Sequence, residues 1–204
     1  MNHLLQHTIK HLLFVLALHV PVQATFADHI SPEDIVLETT TEVTRRLQEH
    51  PEKYKADPGQ AKLLARELIV PHFDFDTMSR QVLARYWKHL NPDQQVCFIA
   101  DFREKFVEKY ARILLSYDNQ TISYHSAIPD GLDGYILVLQ DINLADGSRV
   151  VVEYPMRPLE DGWKIIDLVI DGISLVKSHR NAYQQEINNS GLQIFLEESL
   201  DCIN

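Results

Sequence analysis

Two Asp-Gly pairs, at 161–162 and 171–172, bracket the stretch WKIIDLVI that runs from Trp163 to Ile170. Asp-Gly breaks regular structure, whereas the β-branched and aromatic residues between the pairs favour an extended backbone, so the spacing predicts one strand between two turns. Straight after it, Ile173, Val176, Tyr183 and Ile187 recur at helical spacing. The chain therefore passes from a buried strand into an amphipathic helix with almost no loop. A strand apolar on both faces has to be covered twice. One cover is the ordinary core; the other is either more core or the wall of a cavity.

The rest of the chain can be read around that strand. Ser31-Pro32-Glu33-Asp34 starts a first helix, with Ser as cap and Pro in the first helical position, and Ile35, Val36, Val43 and Leu47 form its apolar stripe up to His50-Pro51. Residues 51–59 read as a loop, Ala61 to Val70 as a second helix, and Pro71-His72-Phe73-Asp74-Phe75-Asp76 as the start of a third that contains Met78, Val82, Leu83, Tyr86 and Trp87. Asn91-Pro92-Asp93-Gln94 opens the longest helix, along which Phe98, Phe102, Phe106, Tyr110, Ile113 or Leu114, and Tyr117 recur every three to four residues. From Asp118 the period changes from 3.6 to 2. Thr121–Ile128, Tyr135–Asn143, Arg149–Arg157 and Trp163–Ile170 are four strands separated by Asp-Gly pairs at 130, 146 and 161, which are hairpin signals, so the sheet is antiparallel. In the third strand Val150, Val152, Tyr154 and Met156 are the inward set. The second and fourth strands are apolar in both registers, so their inward sets stay open. Ile173–Ile187 and a short helix from Leu192 to Leu200 close the chain, and the class is α+β, a four-stranded antiparallel sheet backed by about six helices around an apolar cavity.

The amino end stands apart from this domain. Lys10 is the only Lys, Arg, Asp or Glu before Asp28, and Leu12–Val22 is an apolar run of export-signal length, too short to span a bilayer. Residues 1–27 therefore read as a signal peptide, with cleavage after Ala24 or Ala27, and 28–204 as a single domain outside the cytoplasm. Its loss moves the formal net charge from −10 to −11. An acidic protein gains nothing from nucleic acid or an anionic surface, because the sequence-independent attraction to either needs Lys and Arg. Cys97 and Cys202 are either a disulfide or two separate thiols.

Candidate chemistry is sparse. His72, Asp74 and Asp76 sit together, but a metal site needs a third or fourth ligand and supporting groups, and an Asp before an apolar run reads as a helix cap. No metal site and no cofactor are expected. G-x-S-x-G, G-x-G-x-x-G, a P-loop and C-x-x-C are all missing from the sequence. Asp141 and Asp167, acids within apolar strands, are the best acid/base candidates, and they leave open a cavity enzyme of isomerase or dehydratase type. A structural domain with a filled core is a third reading. An inventory rich in apolar side chains and poor in interior charge fits a lipid carrier better, with no catalytic residue. Burying on the order of thirty methylenes at about 0.8 kcal/mol each offers roughly 24 kcal/mol relative to water. Relative to a bilayer it offers almost nothing, so such a carrier needs partners to set direction. The lipid-binding set expected from pattern is Phe102, Phe106 and Tyr110 on the long helix, Leu137, Leu139, Val152, Tyr154, Ile166, Leu168 and Ile170 on the strands, and Val176.

Trp163, Asp167, Asp171-Gly172, Ser174-Leu175-Val176 and Arg180, together with Arg80 to Tyr110, resemble two blocks of the MlaC or toluene-tolerance family of periplasmic phospholipid-shuttle proteins of Gram-negative bacteria. Ala84 stands where that family usually has Gly. The resemblance implies a nuclear-transport-factor-like sheet holding acyl chains against helices. It further implies lipid exchange between an outer-membrane lipoprotein complex and an inner-membrane ABC transporter, and upkeep of outer-membrane lipid asymmetry. A monomer is expected. A family cousin that carries hopanoid-type lipids is the alternative. Arg80, Tyr86, Trp87, Phe102, Tyr110, Trp163, Asp167, Gly172, Ser174 and Arg180 are, by this resemblance, fold-defining.

Overall fold

The computed structural model describes residues 30–131 and 134–199. The expected signal peptide with both cleavage points, Leu200, Cys202 and the question of its pairing with Cys97 lie outside the described residues. Cys97 itself is buried and is not a free thiol.

Local chemistry starts the helices where the sequence places them. Helix α1, Pro32–Glu49, is capped by Ser31, whose hydroxyl accepts from the Asp34 amide at 3.1 Å. A short helix α2, Pro51–Ala56, occupies what reads as a loop, because Pro51 fits a first helical turn, and it leads to α3, Gly59–Leu68. Asp74 caps α4, Phe75–Leu83, accepting from the Thr77 amide at 2.9 Å. This helix ends at Leu83, four residues before Trp87; at Ala84 φ turns to +49° and the chain continues as a 3-10 helix over Ala84–His89. Helix α5, Pro92–Tyr110, opens with a reciprocal Asn91/Gln94 capping box, 2.9 Å in both directions. The aromatic run reads as one helix to Tyr117, but past Tyr110 it tightens into a 3-10 helix over Ala111–Ser116.

One antiparallel sheet follows, with order β1-β3-β4-β6-β7, while β2 pairs β3 and β5 pairs β4. Its strands are β1 Thr121–Tyr124, β2 Ile128–Pro129, β3 Ile136–Asn143, β4 Arg149–Leu159, β5 Gly162–Ile165, β6 Val169–Ile170 and β7 Ile173–Ser174. The expected four strands thus become seven among the described residues, the seventh being Ile173–Ser174, which reads as the start of the following helix but pairs with β6 as β7 before α6 begins at Leu175. The first splits in two, and the fourth is broken at Asp167, which turns from the ladder to accept from the Leu168 amide at 2.8 Å, the Val176 amide at 3.0 Å and the Ser174 hydroxyl. Ser174 in turn caps α6, Leu175–Ser190, by accepting from the Lys177 amide at 3.0 Å, so one carboxylate joins strand, turn and helix. After Gly191, α7 spans Leu192–Ser199.

The core is uneven, and that unevenness positions the site. At one end Phe98 and Phe102, 1 % and 0 % exposed, stack at 6.1 Å and are closed in by Trp87, Tyr183 and Phe195. Arg180 from α6 donates to the Gln81 carbonyl at 2.6 Å, and the Tyr86 hydroxyl donates to Asn188 at 2.8 Å, tying α6 to the end of α4 and the turn after it. A separate small cluster of Val43, Leu47, Tyr54 and Leu64 holds the far half of α1 to α2 and α3. No helix among the described residues is long and apolar enough to cross a membrane.

Candidate functional site

Between the solid aromatic core and the small α1–α3 cluster lies a cavity of about 420 Å³, within the range of small-molecule sites. Its floor is the sheet, where Gln140, Ile142 and Leu144 of β3 and the following loop stand beside Val150, Val152 and Tyr154 of β4. Its roof is α1, which contributes Ile35, Val36, Thr39, Thr40, Val43, Thr44 and Leu47, with Ile69, Val70 and His72 beside it. Phe73, Phe75, Phe106, Tyr110 and Ile165 close one end, and Ile113, Leu114, Ser116 and Tyr117 stand at the other. Ile113 is half exposed, so the wall there meets solvent. The hollow follows from side-chain size: α1 faces the sheet with short β-branched residues where α5 uses phenylalanines, and what they do not fill stays open.

Among the described residues the lining contains no Asp, Glu, Lys, Arg or Cys. Its polar groups are few, and those in the middle serve one another: the Tyr154 hydroxyl donates to Gln140 Oε1 at 2.7 Å, and Gln140 Nε2 donates to Thr40 Oγ1 at 3.1 Å. Burial pushes the Tyr154 hydroxyl's pKa above its ordinary value. His72, at the side of the cavity, is pushed down by burial and then by the charge of Lys164, so it is uncharged near neutral pH. Gln48 on α1 reaches Tyr117 Oη at 2.8 Å and Asn119 Oδ1 at 3.1 Å, a polar strap from α1 to the segment after α5.

Of the residues expected to touch ligand, Phe106, Tyr110, Val152, Tyr154, Leu168 and Ile170 line the cavity, and Phe102, Leu137, Leu139, Ile166 and Val176 do not. Phe102 and Val176 are packed into the solid core. Leu137 and Leu139 pair with Pro155 and Glu153, opposite in parity to the Val152 and Tyr154 set, and so face away. The break at Asp167 shifts the parity of the last strand, so that Ile165 and Leu168 face inward and Ile166 does not. The contribution of α1 was missed, although its stripe of Ile35, Val36, Val43 and Leu47 was legible, because the helix reads equally well as a core helix.

The acids considered for catalysis are both structural. Asp141 is held by Arg149 Nη1 at 3.0 Å and His125 Nε2 at 3.1 Å on the sheet face away from the cavity, and Asp167 is consumed at the strand–helix junction. Asp76 pairs with Arg80 at 2.6 Å, and Arg80 lies 5.1 Å from the Trp87 ring centre. No cluster of three His, Cys, Asp or Glu able to hold a metal is present among the described residues.

Comparison with known proteins agrees with this architecture. The chain is 26 % identical over 163 residues to toluene tolerance protein ttg2D of Pseudomonas putida, covering 79 % of this chain and 75 % of that one. It is 24 % identical over 188 residues to the intermembrane phospholipid transport system binding protein MlaC of Haemophilus influenzae, covering 91 % and 87 %. A phospholipid-binding protein from Ralstonia solanacearum, solved in complex with a phospholipid, superposes with a TM-score of 0.71 at 24 % identity over 82 % of this chain and 95 % of that one, which shows a shared fold. With residues 37–198 matched by the model of the MlaC protein family, the chain belongs to that family.

Proposed function

We propose that this protein is a phospholipid-binding carrier that holds acyl chains between α1 and the sheet and ferries lipid across the periplasm, between an outer-membrane lipoprotein complex and an inner-membrane ABC transporter, as part of maintaining outer-membrane lipid asymmetry. The observation that carries this reading is the cavity itself: about 420 Å³ of apolar space whose lining, among the described residues, includes no acid, Lys, Arg or Cys. Such a wall offers hydrocarbon a surrounding like its own and offers a reacting substrate no carboxylate, thiol or amine. The names of the relatives, one an intermembrane phospholipid transport system binding protein and one a toluene tolerance protein, support the same reading. Residues 1–27 are assigned to export, and the mature chain acts as a monomer with a lipid as its only ligand.

Mass spectrometry of an organic extract of the purified protein tests this, with phospholipid in near-stoichiometric amount as the expected result. Val152→Trp and Leu168→Trp, which push an indole into the cavity, should empty it while leaving the protein folded. Leu139→Trp, on the opposite sheet face, should leave occupancy unchanged. A clean extract from the unaltered protein, or full occupancy in both cavity variants, overturns the assignment.

A further inference from the structure

The hydrogen-bonded trio in the middle of the cavity has one proton too many. Tyr154 and Thr40 each carry a hydroxyl proton, and the single amide oxygen between them, Gln140 Oε1, takes one. Turning the amide over would move the surplus to the Tyr154 hydroxyl, so it is the amide orientation seen here that assigns it to Thr40. As arranged, Tyr154 donates to Oε1 and Gln140 Nε2, which can only donate, points at Thr40 Oγ1, leaving the Thr40 O–H unused. A threonine in a helix ordinarily turns its hydroxyl back onto a carbonyl three or four residues earlier. Thr44 does so, donating to Thr40 O at 2.9 Å and Thr41 O at 3.0 Å, whereas Thr40 makes no such bond and lines the cavity. An unused donor against apolar space is costly until an acceptor arrives.

From this we infer that Thr40 is a specificity-determining residue, whose hydroxyl donates to an ester carbonyl oxygen of an acylglycerol lipid. The inference rests on the carrier reading above and narrows its ligand class. Phosphate oxygens are poor candidates for this donor, because the lining has no Lys or Arg among the described residues to meet their charge. Ester carbonyls are the neutral acceptors that lead the hydrocarbon of such a lipid, and each one taken into an apolar cavity needs a donor. Gln140, 2 % exposed and bonded on both sides, sets the Thr40 rotamer from the sheet.

The test offers the lipid-free full chain an equimolar mixture of a diester phosphatidylethanolamine and its dialkyl ether analogue of the same chain length, and reads the bound ratio by mass spectrometry. One buried hydrogen bond corresponds to about a five-fold enrichment of the ester lipid. Thr40→Val should bring the ratio to about one, and Thr40→Ser, which keeps the hydroxyl, should restore it. With carbonyl-labelled lipid, the infrared ester band should lie lower on the unaltered protein and on Thr40→Ser than on Thr40→Val. Equal binding of both lipids by the unaltered protein, or an enrichment and a band position that survive Thr40→Val, overturn the role of Thr40 while leaving the carrier reading standing. Binding of neither lipid by the unaltered protein overturns the carrier reading itself.

Discussion

Ala84 occupies a backbone position that suits glycine, with φ +49° and ψ −116°, at the joint between α4 and the 3-10 helix that follows. A side chain there costs energy that a hydrogen atom does not, while the extra freedom of glycine in the unfolded chain gives part of the gain back. Ala84→Gly should therefore stabilise the protein by about 1 kcal/mol, read as a higher denaturant midpoint; a loss of similar size would show the joint to be unstrained. His179 makes the opposite kind of demand. It is buried against Phe102, 5.3 Å between ring centres, with Nε2 3.1 Å from the Tyr110 hydroxyl. Burial, and then the charge of Lys109, push its pKa down from 6.5 to about 4. The unfolded chain takes up a proton here before the folded one does, so this contribution is complete above about pH 6.5 and is lost as pH falls toward 4. The loss is on the order of 2 kcal/mol once partial solvent access is allowed for. His179→Gln should narrow the gap between denaturation midpoints measured at about pH 7.5 and about pH 4.5, and an unchanged gap would place the acid sensitivity elsewhere.

At the level of elements, Asp167 holds the joint on which the sheet turns into α6, accepting from two amides and a hydroxyl at once. Asp167→Ala leaves those donors without their partner and should cost about 2–3 kcal/mol, seen as a lowered melting temperature. A lost activity with unchanged stability would instead recommend it as a base. The sequence was informative about such joints because capping and turn chemistry is local: Ser31, Asn91 with Gln94, and the Asp-Gly pairs act within three or four residues of themselves. It was less informative about which face of β3 looks inward, because Leu137 and Leu139 are as apolar as Val138 and Ile142. The turn around Asp146 held the missing information, since it pairs Asn143 with Arg149 and so places even-numbered residues opposite even-numbered ones. Given Val150, Val152 and Tyr154 as the inward set, Gln140 and Ile142 follow. No comparable local rule announces that α1 roofs a hollow, or that the fourth strand gives up its ladder at Asp167, since each depends on partners distant along the chain.

For the whole molecule, a formal net charge of −10 sets how it meets membranes. Like charges keep it from resting on an anionic surface, so lipid uptake from vesicles rich in anionic lipid should speed up as salt rises from about 10 mM to 150 mM, over which the screening length shrinks from about 30 Å to 8 Å. Uptake that slows over this range would mean a local basic patch governs the approach. The distribution of mass inside the molecule matters as much. Helix α5 runs from the closed Phe98–Phe102 cluster to Phe106 and Tyr110 at the edge of the hollow, so its first half is anchored whatever occupies the second. On the carrier reading proposed above, the protein spends part of every round trip without freight, and a vessel depending on its cargo for rigidity would collapse on the return leg. Here the ballast is built into one end, and the hold can stand empty.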